Sequence, residues 1–181
     1  MRNFLKIGII GAVALGASGS AFADDANSRF AVKGAGTKSC ADFSAARAAE
    51  NTDAYLYAGW VDGYLTGLNQ FTPTTYDLAP WQTTDLILFK LDKYCAVMPD
   101  ETFINALTGL AKILAPDRLP SESKIVSVRN GGQSIFVYEA MLPIIKQRLQ
   151  EEGVAPDIKA ALFTKRTANA LLRYQAKHKL T

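Results

Sequence analysis

Histidine and cysteine are scarce in this chain, one and two respectively among 181 residues. A structural zinc site closes a tetrahedral set of Cys and His ligands, and two cysteines plus the distant His178 do not complete one, so no metal site is expected. There is also no Gly-rich phosphate loop, no His-Glu-x-x-His helix and no nucleophile elbow. No cofactor and no catalytic residue are expected. Beyond Ala23 no stretch approaches the ~20 consecutive apolar residues of a membrane-spanning helix, so no span is expected either. Charge of one sign is nearly absent. The formal charge is +3, and residues 1–23 hold Arg2 and Lys6 but no acid, leaving 3 − 2 = +1 without them. That balance gives no global argument for binding nucleic acid or an anionic surface.

What is present begins with a leader. Arg2 and Lys6 precede an apolar run from Ile7 to Leu15, and Ala21-Phe22-Ala23 forms an A-x-A site before Asp24. Residues 1–23 read as a secretory signal peptide whose removal leaves 181 − 23 = 158 residues, in the periplasm or secreted. An oxidising compartment makes a Cys40 to Cys95 disulfide the default. Closing a loop of about 56 residues would constrain the unfolded chain by ~4 kcal/mol in the entropic account.

The central stretch is DAYLYAGWVDGYLTGLNQF, Asp53 to Phe71. At 100° per residue, Trp60, Phe71, Tyr64, Tyr57, Leu68, Val61 and Leu65 share one broad arc, with Asp62, Asn69, Thr66 and Gln70 opposite. This predicts an amphipathic helix with an aromatic core face. Gly59, Gly63 and Gly67 border that arc and read as a small-residue stripe for close helix packing. The functional alternative is a sugar-stacking platform of Tyr55, Tyr57, Trp60 and Tyr64.

Residues 24–38 are small and polar and predict a flexible arm. A first helix begins near Cys40 with Phe43 and Ala46 on one face. Asn51, Thr52 or Asp53 caps the central helix. A loop follows around Tyr76 and Trp81, and a third helix runs from about Thr84 to Cys95. Beyond Pro99, with Asp100 as the expected cap, Phe103, Leu107, Leu110, Ile113 and Leu114 mark a fourth helix. Ser39-Cys40-Ala41-Asp42-Phe43, then Trp60-x-x-Gly63-Tyr64-Leu65, then Tyr94-Cys95 before Pro99, resemble the small disulfide-bonded periplasmic proteins of the HdeA/HdeB type. The resemblance covers about 39–114. It implies a disulfide-clasped helical fold and, as an alternative function, an acid-stress chaperone holding unfolded clients.

Ala115 to Ser123, with two prolines and no apolar period, reads as a linker. Ile125-Val126-Ser127-Val128 and Ser134-Ile135-Phe136-Val137-Tyr138 around Asn130-Gly131-Gly132 predict a β-hairpin. Pro143 suits the first turn of a helix with Leu142, Ile145 and Leu149 in its stripe, and Gly153 sits at its C-terminal cap. The last helix runs from about Lys165 to Lys177, with Ala168, Leu171, Leu172 and Tyr174 toward one side. Leu142-x-x-Ile145-x-x-x-Leu149-x-x-x-Gly153-Val154, then Phe163-x-x-x-Thr167-x-x-Ala170-Leu171-x-x-Tyr174-Gln175, resemble the three-helix peptidoglycan-binding domain. The family's Asp-Gly before the phenylalanine is Ala160-Ala161 here, and its following glycine is Thr164. That resemblance makes Phe163, Thr167, Ala170, Tyr174 and Gln175 structural positions and implies contact with peptidoglycan.

Arg166, Asn169, Arg173 and Lys177 fall within about 80° on the last helix, a row of donors suited to the carboxylates of wall peptides, with a solvated helix face as the plain alternative. A glycoside-cleaving carboxylate pair would have to come from Glu50, Asp53, Asp62 or Asp77 brought together by folding. The expectation is a mainly α protein: a disulfide-clasped helical unit at 39–114, a linker at 115–123, and a hairpin with a peptidoglycan-binding-like module at 124–181. Function is expected to be non-catalytic contact with peptidoglycan in the envelope. An HdeA-like chaperone, or an immunity or inhibitor protein binding another envelope protein, is the alternative.

Overall fold

The computed structural model describes residues 25, 29–49, 51–130, 133–154 and 165–178. Residues 1–23, where a signal peptide is expected, Glu50, Gly131, Gly132, residues 155–164 and 179–181 lie outside them. The chain divides into two units, Met1–Ala31 and Val32–Thr181. In the first, the Asp25 N–H donates to the Arg29 carbonyl at 2.8 Å and its carboxylate accepts from the Arg29 N–H at 2.9 Å.

The second unit is mainly α-helical with one two-stranded sheet. Its first helix, α1 (Cys40–Ala48), is started by a capping box in which Ser39 and Asp42 each accept the other's backbone N–H at 3.1 Å. Those bonds hold the Asp42 carboxyl below its usual range. Helix α2 (Thr52–Phe71) is capped by Asn51, whose side chain accepts from the Asp53 N–H. Thr83 caps α3 (Thr84–Cys95). Helix α4 (Phe103–Leu114) departs from expectation: Asp100 does not cap it. The Glu101 carboxylate takes the Thr102 N–H and the Asn105 side chain instead, both at 2.9 Å.

These helices enclose one core. The rings of Phe43, Tyr57 and Phe103 meet with centroids 4.7 to 5.1 Å apart, and Val61, Ile87, Leu91 and Leu107 fill the space around them. Cys40, the first residue of α1, is bonded to Cys95, the last of α3. The aromatic arc of α2 does face this core. Its last member, Phe71, does not, being 72% exposed where the helix outruns its neighbours. Ile113 and Leu172 likewise stand exposed, outside their helices' apolar stripes.

Three further expectations are corrected. The flexible arm cannot extend to 38, because Gly34–Thr37 forms a 3-10 turn against α2, with the Trp60 indole N–H donating to the Lys33 carbonyl at 2.9 Å. Gly36 is buried beneath that indole, and an added Cβ would collide with it. The glycine stripe of α2 meets no other backbone: Cβ atoms built on Gly59, Gly63 and Gly67 find nothing within 4 Å. Nor is 115–123 an open linker. Ala115–Asp117 forms a 3-10 turn, and the buried Leu119 exchanges backbone hydrogen bonds with Asp77 at 2.7 and 3.1 Å.

The hairpin joins β1 (Ile125–Asn130) to β2 (Gln133–Tyr138) in antiparallel register, Ser127 opposite Phe136 and Val126 opposite Val137. Phe136 and Ser127 face solvent while Val126 and Val137 are half-buried, the period-two pattern of a one-sided ribbon. Glu139–Met141 forms a 3-10 turn into α5 (Leu142–Glu151), and α6 (Lys165–Lys177) packs against α5 and β1. At this end of the ribbon, the Tyr138 hydroxyl donates to Asp77 at 2.9 Å and its ring meets Tyr76 edge-on. The hairpin therefore contacts both the clasped helices and the C-terminal pair.

Candidate functional site

Helix α5 ends in a Schellman cap. Gly153 adopts φ +68°, its N–H donates to the Gln150 carbonyl at 2.9 Å, and the Val154 N–H donates to Leu149 at 3.1 Å. This turn brings the chain back over the helix end and leaves the carbonyls of Glu152 and Val154 pointing toward α6. Leu149 and Ala170 close a small apolar seam between the two helices, with Ile145, Val154, Leu171 and Tyr174 packed around it. Thr167 on α6 is also fully buried. The positions Leu149, Ala170 and Tyr174, which carry part of the resemblance in this tail, thus lie where the helices meet. Phe163 and the Gln175 side chain lie outside the described residues.

The row of donors on α6 is split in two. Arg173 donates through Nε and a terminal nitrogen to the Val154 carbonyl at 3.2 and 2.7 Å. Lys177 reaches the Glu152 carbonyl at 3.0 Å and its carboxylate at 3.1 Å. His178 sits 3.2 Å from the same carboxylate and lies over Tyr174, ring centroids 4.4 Å apart. The hydrogen bonds from Lys177 and then His178 hold the Glu152 carboxyl below its ordinary value. Arg173 and Lys177 therefore complete the end of α5, with both side chains still exposed. Arg166 and Asn169 remain exposed. Glu152 had not been singled out from the sequence; the signal was an acid beside a cap glycine, ahead of a basic helix.

The aromatic platform expected on α2 is likewise divided. Tyr57 belongs to the core, and burial, then the charges of Asp42 and Asp53, push its phenol upward. Tyr64 stacks under Trp60 at 5.6 Å and shares a hydrogen bond with Thr108. Trp60 is half-buried, and Tyr55 alone is fully open, at 77% exposure.

Two of the carboxylates weighed for hydrolysis have partners of their own. Asp62 accepts from the Thr84 hydroxyl at 2.7 Å, and Asp77 accepts from Ala79 and Tyr138. Asp53 stands at the start of α2, and Glu50 lies outside the described residues. Among the described residues no group of three His, Cys, Asp or Glu side chains is placed to hold a metal ion, and no helix is long and apolar enough to cross a membrane.

Helix α3 offers a surface that the sequence reading passed over. Its inner side buries Ile87, Leu88 and Leu91, while Leu86, Phe89 and Tyr94, followed by Val97 and Met98, are exposed, with the Lys93 ammonium 5.2 Å from the Phe89 ring. Comparison with protein-family models, with curated proteins and with solved structures finds no match.

Proposed function

We propose that this is a non-catalytic protein of the bacterial periplasm or cell envelope that contacts peptidoglycan through its C-terminal helices. The observation that supports this reading is the α5–α6 pair. Among the described residues Leu149, Ala170 and Tyr174, positions shared with the three-helix peptidoglycan-binding pattern, pack in the seam of the pair, and Arg166 and Asn169 are exposed on α6. A guanidinium and an amide fixed on one helix suit a peptide carboxylate, since charge-assisted donors held in place lose little freedom on binding.

The test is co-sedimentation with purified cell-wall sacculi. Binding is expected at low salt and is expected to weaken as salt rises, because exposed charges are screened over ~10 Å at 0.1 M. Arg166→Glu combined with Asn169→Ala should remove it without moving the melting temperature, as both side chains are exposed. Failure of the unaltered protein to sediment at low salt would end the reading.

A second reading, a protein that holds another envelope protein or an unfolded client, is favoured by the exposed apolar side of α3. It separates from the first by substitution of Phe89 and Val97, which would leave wall sedimentation unchanged.

A further inference from the structure

A cleft of about 450 Å³ lies along the seam of α1 and α3, lined by Ser44 and Arg47 from the first helix and Asp92 from the third. We propose that it binds a free α-amino acid with a small side chain, whose carboxylate meets Arg47 and whose ammonium meets Asp92. The α5–α6 reading shares no residue with this site.

Two opposite charges carry the argument. Arg47 is half-buried, and its guanidinium makes no hydrogen bond or ion pair among the described residues. Asp92 is half-buried too. Its Oδ1 accepts from the Ser44 hydroxyl at 2.9 Å, while Oδ2 has no hydrogen bond among the described residues. Lys93, the cation next to it in the chain, lies over the Phe89 ring and does not line the cleft. One cation and one anion thus share a cavity without pairing with each other. A partly desolvated charge gains from a partner, and a ligand that holds both signs one carbon apart supplies a partner to each. An ion of a single sign meets attraction from one residue and repulsion from the other.

The donor and acceptor sets agree with the charges. A carboxylate matches the planar fork of a guanidinium, which grips both oxygens at once. An ammonium needs acceptors instead. The Asp92 Oδ2 is one, and the Ser44 hydroxyl, whose proton is committed to Oδ1, offers its lone pairs as another. The remaining walls include Ala41, Ala48, Ala96 and Pro99, short and apolar, so they favour a small apolar side chain over a long or charged one. The volume falls within the ~300–1,000 Å³ of common small-molecule sites. Both walls are also fixed in advance. The Cys40 to Cys95 bond joins the helices about one helical turn from Ser44 and from Asp92, so little ordering is needed on binding.

The experiment is a calorimetric titration of the protein with L-alanine, beside propionate and ethylammonium, which are alanine without its ammonium and without its carboxylate. Saturable alanine binding at millimolar concentration or lower is expected, with each half-ligand weaker by about tenfold or more, the effect of losing one charged partner. Arg47→Gln and Asp92→Asn should each weaken alanine binding by about the same factor. Asparagine keeps an acceptor for the Ser44 hydroxyl, and an unchanged melting temperature without ligand shows that the fold is kept. Absence of saturable alanine binding overturns the proposal and leaves Arg47 and Asp92 as an ordinary pair of surface charges. Propionate or ethylammonium binding as tightly as alanine overturns it as well, because the cleft would then read one charge only. So does alanine binding that neither substitution alters, which would place the ligand elsewhere.

Discussion

Glycines in this chain have opposite roles that only their surroundings reveal. Gly36 lies under the Trp60 indole with Val32 beside it, so Gly36→Ala forces the ring off its hydrogen bond to Lys33. Overpacking of that kind costs about 1–3 kcal/mol. Gly63 sits in the exposed middle of α2 with open space around its missing Cβ, so Gly63→Ala should stabilise by up to ~1 kcal/mol through helix propensity. Urea unfolding of the two variants should therefore move the midpoint in opposite directions. A loss from Gly63→Ala would mean that the stripe meets a partner after all. The sequence pattern suggests the reverse, a flexible arm around Gly36 and a packed stripe at Gly63, since a glycine's spacing says nothing about what faces it.

At the scale of elements, α6 is fastened to the end of α5 by cations that periodicity had assigned to a ligand. The 3.6-residue period placed Arg166, Asn169, Arg173 and Lys177 on one side correctly. Which neighbour lay opposite that side depended on the Schellman turn at Gly153, and no count along α6 contains that. Glu152 makes this fastening sensitive to acid. Its carboxyl is held below the ordinary 4.5 by Lys177 and His178, so its stabilising contribution is complete above that value and is lost as pH falls through the lower, folded-state value. Hydrogen-exchange protection of α6 amides, corrected for intrinsic rate, should drop in that acid window. Glu152→Gln should flatten the drop. A wild-type profile that stays flat as pH falls below 4.5 would remove the fastening from the account.

Across the whole molecule, Asp77 links segments far apart in the chain. Its backbone pairs with Leu119, and its carboxylate takes the Tyr138 hydroxyl, so the hairpin is tied to the loop between α2 and α3 by this bond and the Tyr76 ring contact. Burial first, then the hydrogen bond and charge of Asp77, push the Tyr138 phenol up to about 12. A raised phenol keeps its stabilising contribution below the ordinary value of 10.0 and loses it as pH climbs through the folded one. Ultraviolet titration should detect one tyrosine ionising late, and Asp77→Asn should bring it down. If that substitution leaves the late step untouched, burial alone sets it. None of this linkage was legible beforehand. The helices announced themselves through apolar period, caps and prolines, and the hairpin through Asn-Gly-Gly. Leu78 and Leu119, by contrast, are single apolar residues in proline-bearing loops, with no period to mark them as core.

The bond between Cys40 and Cys95 has a kinetic meaning as well. Both residues are within 1% of complete burial, so a thiol reagent reaches the sulfurs only through a molecule that has opened. When reclosing outpaces reagent attack, the rate of reduction measures the population of opened molecules. When reagent is in excess, it measures how often they open. The covalent clasp is thus a built-in clock for the breathing of the helices that enclose it.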